Sequence, residues 1–355
     1  MEEHNTRLLT GRPGNPLALA ESLRVAYEQA NATCLIRFGF AYVSSSGLDT
    51  VLPELDAVPK WQTTQKKWLI GLNRGITEPS ALERIRALPN SSLKVFAGAE
   101  ELSLTGLTTG KTFHGKVVGF SSGIESPIHP TCLLASSANL TGAALGSHAR
   151  NFEAGLALFG EAIPRTQFNR FEDWWEHAWS ESFDVNDKIL DKYSGLRSTL
   201  LRRNRDFLSD LDPPPLSQLK DARTLWIEAG AMSGGSRNQV EFGRELAGFF
   251  GQPELMMRPL RIDANGKEWP DRPLAYKVTT FGVEIWRLSL PTESSGGFSY
   301  PGSIICFRKA IDSRGTFFKV NVALPKDRRA PRWLKEAHRK GYVGVTSGRR
   351  AFGFF

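Results

Sequence analysis

The run Phe113-His114-Gly115-Lys116-Val117-Val118-Gly119-Phe120 places an imidazole and an ammonium two residues apart in a strand-like stretch. Side chains alternate across a strand, so His114 and Lys116 share one face and can address a single phosphoryl group. Downstream, Ser137-Ala138-Asn139 repeats that spacing with a hydroxyl and a carboxamide, both able to donate to non-bridging phosphate oxygens. Glu153 follows within Asn151-Phe152-Glu153-Ala154-Gly155-Leu156, on the next strand-like run. There a carboxylate can hold an imidazole in one tautomer. These groups suit phosphodiester cleavage without a divalent ion: the transition-state charge is met by Lys, amide and hydroxyl donors. The leaving oxygen then needs a proton from a second imidazole.

The order His-x-Lys, Ser-x-Asn, then Glu resembles the phospholipase D superfamily, and its small nuclease branch most of all, over about residues 30–180. The resemblance implies that His114 is the nucleophile, forming a covalent phosphohistidine. It implies that Lys116, Ser137 and Asn139 bind the phosphate, that Glu153 orients His114, and that no metal or other cofactor is needed. The superfamily's usual Asp, five residues after the motif Lys, is Ser121 here. Superfamily sites are built from two His-x-Lys motifs. A second match, His338-Arg339-Lys340, lies in a charged, helix-like stretch with no Ser-x-Asn or Glu after it. It reads as structural or as a DNA-backbone contact. Each chain therefore carries half a site, and a homodimer with two His114 residues facing across a twofold axis is expected.

Other motifs fail on spacing. Gly106 to Thr112 imitates a P-loop but has three residues between the glycines where four are required. His4, His129 and His177 lack metal-ligand spacing, and Cys34, Cys132 and Cys306 read as reduced thiols, so no metal site is expected.

The elements that must position the chemistry alternate in type. Strands are predicted at 33–44, 67–72, 93–97, 113–120, 131–135 and 152–159. A helix start is predicted at Thr77-Glu78-Pro79-Ser80, and a core-facing helix over 164–180, with Phe168, Phe171, Trp174, Trp175 and Trp179 at spacings of three and four. This is an α/β layered pattern. After a charged stretch at 185–211 and Pro213-Pro214-Pro215, the pattern becomes short strands: 224–229, 276–290, 303–310, 316–323 and 342–346, with a helical segment at 239–250. The predicted organisation is an α/β phospholipase D-like nuclease domain at 1–184, a helical and proline linker at 185–215, and a mostly β domain at 216–355. A chain of 355 residues with 41% hydrophobic content suits two folded domains and excludes general disorder. It has no run long enough for a membrane span, and its polar, acidic start does not read as a signal peptide. A cytoplasmic protein without membrane attachment is expected.

The net charge of +8 is unevenly placed. Residues 1–180 hold 16 Lys/Arg and 17 Asp/Glu, whereas 181–355 hold 29 and 20. A basic half beside a neutral one suggests a polyanion-binding module, with a solvated basic surface as the alternative; the nuclease resemblance makes double-stranded DNA the expected polyanion. The Ser233-Gly234-Gly235-Ser236-Arg237-Asn238-Gln239 loop offers the side chains that read base edges, and a second long loop spans Glu293 to Tyr300. This half resembles the plant-type B-three DNA-binding pseudobarrel, in which two loop arms grip the major groove. The same fold ends restriction endonucleases of the BfiI type and restriction subunits of the NgoAVII and CglI type. That resemblance implies an N-arm with Ser233, Gly235, Ser236, Arg237, Asn238 and Gln239. It implies a C-arm with Ser294, Ser295, Phe298 and Tyr300, and phosphate contacts from Arg328, Arg329, Arg332, Arg349 and Arg350. The expected activity is a site-specific, metal-independent restriction endonuclease, alone or with an ATP-dependent helicase-like subunit, alongside a cognate DNA methyltransferase. The alternative is a DNA-binding regulator with a silent nuclease site.

Overall fold

Leu35–Phe40 (β2) is buried at every position, and the first sheet is built outward from it. Its parallel neighbours are Gln65–Ile70 (β3) and then Ser91–Phe96 (β4). On the other side lie three antiparallel strands, Lys116–Ser121 (β5), Pro130–Ser136 (β6) and Glu153–Phe159 (β7). Thr6–Gly11 (β1) and Ser182–Asp184 (β8) close the two edges, giving the order β1-β7-β6-β5-β2-β3-β4-β8. The computed structural model describes residues 6–29, 33–96, 102, 111–123, 129–146, 149–203, 216–232, 237–251, 257–278, 284–324, 327, 329–346 and 350–355. It divides into two compact units, Met1–Asp212 and Pro213–Phe355.

The period of two assigns the faces of the first sheet. Ile36, Phe38, Phe40, Trp68, Ile70, Val118, Phe120, Leu134 and Ala157 share one core, and Phe38 stacks on Trp68 with ring centroids 3.9 Å apart. Helices Leu19–Gln29 (α1), Ser45–Asp56 (α2), Pro79–Arg86 (α3) and Gly142–Leu145 (α4) contribute to that core. Pro79 opens α3 at a position where its missing N–H costs nothing. The opposite face, with Leu69, Val117, Leu133 and Leu158, packs on Arg165–Ser180 (α5) through Phe168, Phe171, Trp175 and Ala178. Gly119 makes this possible: a Cβ there would lie 2.6 Å from the Phe171 ring. Helix Asp187–Arg203 (α6), which opens the 185–215 stretch, is also part of this unit. Its Leu190, Tyr193 and Leu200 enter the first core, and Arg86 pairs with Asp187 at 2.8 Å.

The second unit is mostly β. Its strands are Thr224–Glu228 (β9), Gln239–Gly243 (β10), Met257–Ala264 (β11), Lys267–Val278 (β12), Glu284–Ser289 (β13), Ile304–Asp312 (β14), Gly315–Ala323 (β15), Tyr342–Val345 (β16) and Ala351–Phe354 (β17). They form one nine-stranded sheet in the order β10-β13-β12-β11-β15-β14-β9-β17-β16, in which only the β11–β15 pair is parallel among the described residues. Leu216–Asp221 (α7), Arg244–Ala247 (α8) and Arg329–Lys340 (α9) accompany it. Phe242, Phe250, Phe307 and Phe318 from separated elements meet with centroids 4.9–5.8 Å apart, so the sheet curls around its own core. Arg350, just before β17, donates to the Glu241 carbonyl on β10 and ties the two ends of the sheet order together.

The predicted 113–120 strand begins only at Lys116, so His114 lies just before it and alternation does not fix its face relative to Lys116. Two further sequence expectations change here. The 276–290 run is two antiparallel strands, the end of β12 and all of β13, registered Tyr276↔Trp286. The 239–250 segment is helical only from Arg244; its first five residues are β10, with Val240 and Phe242 facing the core at alternate positions. In both cases cross-strand burial decided the outcome over local pattern.

Candidate active site

Strand register brings the five predicted groups to one end of the first sheet. Phe40, the last residue of β2, pairs with Lys116, the first of β5, and the Ala41 amide donates to the Gly115 carbonyl at 2.8 Å. Val117 pairs with Ala135 on β6, Ser136 with Gly155 on β7, and Glu153 with Gly11 on β1. The start of β5, the end of β6 and the start of β7 therefore lie side by side. Phe113 is buried between Phe96 and Trp174, with centroids at 5.5 and 5.7 Å, and anchors the chain so that the exposed His114 projects outward.

Each partner group has a defined tether. The Lys116 ammonium donates to the His114 carbonyl at 3.1 Å. Asn139 Oδ1 accepts from the Tyr42 amide at 3.1 Å, which fixes the acceptor end of the carboxamide and leaves Nδ2 as the donor end. The Ser137 hydroxyl donates to Glu153 and accepts from the Ala154 amide at 3.0 Å. Asn151 Nδ2 donates to the other Glu153 oxygen at 3.1 Å. Among the described residues no hydrogen bond joins Glu153 to His114, so within one chain the carboxylate does not hold the imidazole as the sequence suggested. The reason is topological: β6 intervenes between β7 and β5, about 10 Å across the sheet.

Partial burial lowers the affinity of His114 for its proton, and the positive charges of Lys116 and Arg74 lower it further. Burial also lowers Lys116, with Glu153 opposing the shift. Arg74 escaped the sequence reading because it is remote from the His-x-Lys motif; it lies on the turn after β3. Ser121 is buried at the far end of β5 and pairs with Leu35. The second His-x-Lys is no half-site: His338 is 2% exposed and sits in α9, where residues two apart diverge.

On the α5 side of the same sheet, toward the β1 edge, apolar side chains stand open to solvent. Leu8 pairs with Leu156, and the two are 72% and 42% exposed; Phe152 is 81% exposed and Trp174 40%. Phe152 immediately precedes Glu153, and Trp174 covers Gly115, whose Cβ would lie 3.0 Å from the indole.

In the second unit, Ser233, Gly235 and Ser236 of the predicted N-arm lie outside the described residues, as do Arg328 and Arg349. Arg237, Asn238, Thr292, Glu293, Phe298, Ser299 and Tyr300 line one cleft of about 420 Å³, which joins the two predicted arm loops. Not all of them are available to a ligand. Asn238 donates its amide to the Leu290 carbonyl, while Leu290 N–H donates to the Asn238 carbonyl at 2.9 Å. Tyr300 is 1% exposed, its hydroxyl donates to the Pro291 carbonyl at 2.8 Å, and burial pushes its pKa up to about 12. Asn238 and Tyr300 are thus loop anchors, and Arg350 is an anchor between β17 and β10. Ser295 is bonded back to Thr292, and Ser294 reaches the Thr292 hydroxyl at 3.0 Å. Arg237 is exposed, Gln239 and Phe298 are half-buried, and Arg332 pairs with Glu336 at 3.3 Å. Tyr300→Phe is expected to cost about 1 kcal/mol of stability, read by denaturant unfolding. An unchanged unfolding midpoint would remove the anchoring role.

Among the described residues no cluster of three or more His, Cys, Asp or Glu is placed to hold a metal, and no helix is long and apolar enough to cross a membrane. No family model matches the chain, and no curated protein matches it. Solved structures give weak similarities. Nuc of Salmonella typhimurium, a phospholipase D family member, is 17% identical with a TM-score of 0.33, covering 51% of this chain and 99% of Nuc. Phosphatidylserine synthase of Haemophilus influenzae is 12% identical at 0.36, covering 58% of this chain and 46% of the synthase. Yeast tyrosyl-DNA phosphodiesterase is 14% identical at 0.27, covering 46% of this chain and 48% of the enzyme. Scores of this size do not establish a shared fold.

Proposed function

We propose that this chain is a metal-independent phosphodiesterase of the phospholipase D type that cuts DNA at specific sites. The observation that supports the reading is that the start of β5, the end of β6 and the start of β7, which carry or adjoin His114, Lys116, Ser137, Asn139 and Glu153, lie side by side at one end of one sheet. In this reading the neutral His114 imidazole attacks phosphorus. Lys116 and the Asn139 Nδ2 donor meet the charge that develops on the non-bridging oxygens. The P–O bond to the leaving strand breaks, and that oxygen takes a proton from the imidazolium of the partner subunit's His114. Water activated by the same imidazole then opens the phosphohistidine and restores His114.

Half a site per chain requires a second copy, and the open apolar patch of Leu8, Phe152, Leu156 and Trp174 beside Glu153 and Gly115 is the surface we assign to it. The basic second unit would supply DNA affinity, with the cleft between the arm loops reading sequence and Arg237 as its exposed cation. An ATP-dependent translocating subunit and a cognate methyltransferase are the partners this restriction-type reading entails. Incubation with plasmid DNA in excess EDTA is expected to yield breaks with defined ends. Strict loss of cleavage on chelation would overturn the metal-independent mechanism, and cleavage only on adding an ATPase subunit would assign this chain to a larger complex.

A further inference from the structure

Between β3 and α3 the chain makes a tight turn, Asn73-Arg74-Gly75, in which Arg74 has φ 61° and ψ 1°. This left-handed conformation is unfavourable for a residue with a β-carbon, and glycine adopts it without penalty. Asn73 beside it is 5% exposed, with both ends of its carboxamide unpaired among the described residues. The turn is nevertheless held firmly from below. Buried Arg197 of α6 donates Nε to the Gly75 carbonyl at 2.7 Å, and buried Tyr193 donates to the Thr77 carbonyl at 2.7 Å. Thr77 Oγ1 donates to the Gly71 carbonyl at 2.7 Å. Gly71 in turn abuts the His114 segment: a Cβ there would lie 2.7 Å from the Ala41 carbonyl oxygen and 3.1 Å from that of Phe113. An exposed guanidinium is thus carried on a strained, clamped turn that begins two residues after Gly71, the residue abutting Phe113, and its charge bears on His114. Strain retained in this way concentrates at functional sites.

We propose that Arg74 is a further phosphate-binding residue of the His114 site, its guanidinium engaging the non-bridging oxygens of the phosphate that His114 addresses. The proposal rests on the phosphodiesterase reading for its catalytic consequence, but not for the binding itself. Guanidinium is suited to this role because it presents paired donors to a tetrahedral anion. The charged groups bearing on His114 are Lys116 and Arg74, with Glu153 acting on Lys116. The clamp from α6 gives the segment after β8 a purpose in the site: it keeps the turn at the required height.

The test compares the full-length wild type with Arg74→Gly and Arg74→Lys. Arg74→Gly relieves the backbone strain, so its melting temperature should be unchanged or about 2 °C higher. Inorganic phosphate is titrated while the His114 imidazole is followed by NMR. Arg74→Gly should bind phosphate about 10-fold more weakly and shift the His114 titration to higher pH, since one neighbouring positive charge is gone. Arg74→Lys should restore the titration more fully than the phosphate affinity, because it returns charge without the paired donors. Phosphate binding of equal strength in wild type and Arg74→Gly, or binding to neither, overturns the proposal. Phosphate binding that depends on Arg74 in a chain that cuts no DNA would leave it standing and reject the nuclease reading instead.

Discussion

His114→Ala is expected to lower DNA cleavage by about 10⁴-fold or more while leaving the fold intact. The magnitude follows from the role: the substitution removes both the nucleophile and, in a dimer, the acid that protonates the leaving oxygen. The fold should tolerate it because His114 is exposed, just before β5, and the adjacent Phe113 provides the anchoring burial. Melting temperature and the far-ultraviolet circular dichroism spectrum should match wild type, so loss of activity cannot be ascribed to unfolding. A pH profile supplies an independent check. In the dimeric reading one His114 attacks as the neutral imidazole while the partner subunit's His114 must be the imidazolium, so activity should be bell-shaped in pH, its acidic limb set by the pKa at which the attacking imidazole loses its proton. Desolvation, Lys116 and Arg74 all lower that pKa from the ordinary value of 6.5, so the acidic limb should lie below the range of a free histidine. Lys116→Ala removes one of those charges and should move the limb toward higher pH as well as slowing turnover. Cleavage retained in His114→Ala would dispose of the enzyme reading and favour a DNA-binding regulator.

The candidate site residues could be listed from the sequence because their spacing is local. His114 and Lys116 are two residues apart, as are Ser137 and Asn139 in the turn after the next strand; His114 itself lies just before β5, so strand alternation does not fix its face. The Pro79 helix start and the aromatic spacing of α5 were legible for the same reason. What could not be read depended on neighbours distant in sequence. The charge of Arg74 bears on His114 because β3 runs parallel to β2 and ends at its level, and no local pattern announces that. Glu153 looked like the orienter of His114 from its order in the chain, but strand order places β6 between them and gives its carboxylate to Ser137 and Asn151. In the second unit, Asn238 and Tyr300 have the composition of recognition residues, yet their polar atoms are used on the Leu290 and Pro291 carbonyls. A loop side chain can serve either its own backbone or a ligand, and residue type does not distinguish the two. The signal that could have separated them is burial, because a buried hydroxyl must find a partner nearby.

Charge placed in the open apolar patch should separate assembly from chemistry. Phe152→Asp combined with Leu156→Asp puts two carboxylates on a surface that is solvent-exposed in the single chain, so the monomer should fold as wild type does. If two copies pair through this face, burying those charges without partners would be prohibitive and the dimer should dissociate. Light scattering should report twice the chain mass for wild type and one chain mass for the variant. DNA cleavage should fall about 10³-fold, since each His114 loses the imidazole that protonates the leaving oxygen. Phosphate binding at a single His114, which needs only Lys116, Arg74 and Asn139 from the same chain, should fall far less. That contrast distinguishes the dimeric site from a complete one in each chain. Loss of cleavage together with loss of phosphate binding would point to damage of the nearby Glu153 strand. A monomeric variant that cuts at the wild-type rate would show that one chain suffices, and the second imidazole would then have to come from this chain's own His129, His177 or another of its few histidines. None of the described ones belongs to another His-x-Lys in the first unit: His338, in the second, is buried in α9, and His177 pairs with Glu181 at 3.7 Å. Among the described histidines none completes a second motif beside that of His114, and a second copy is therefore the source proposed for the acid.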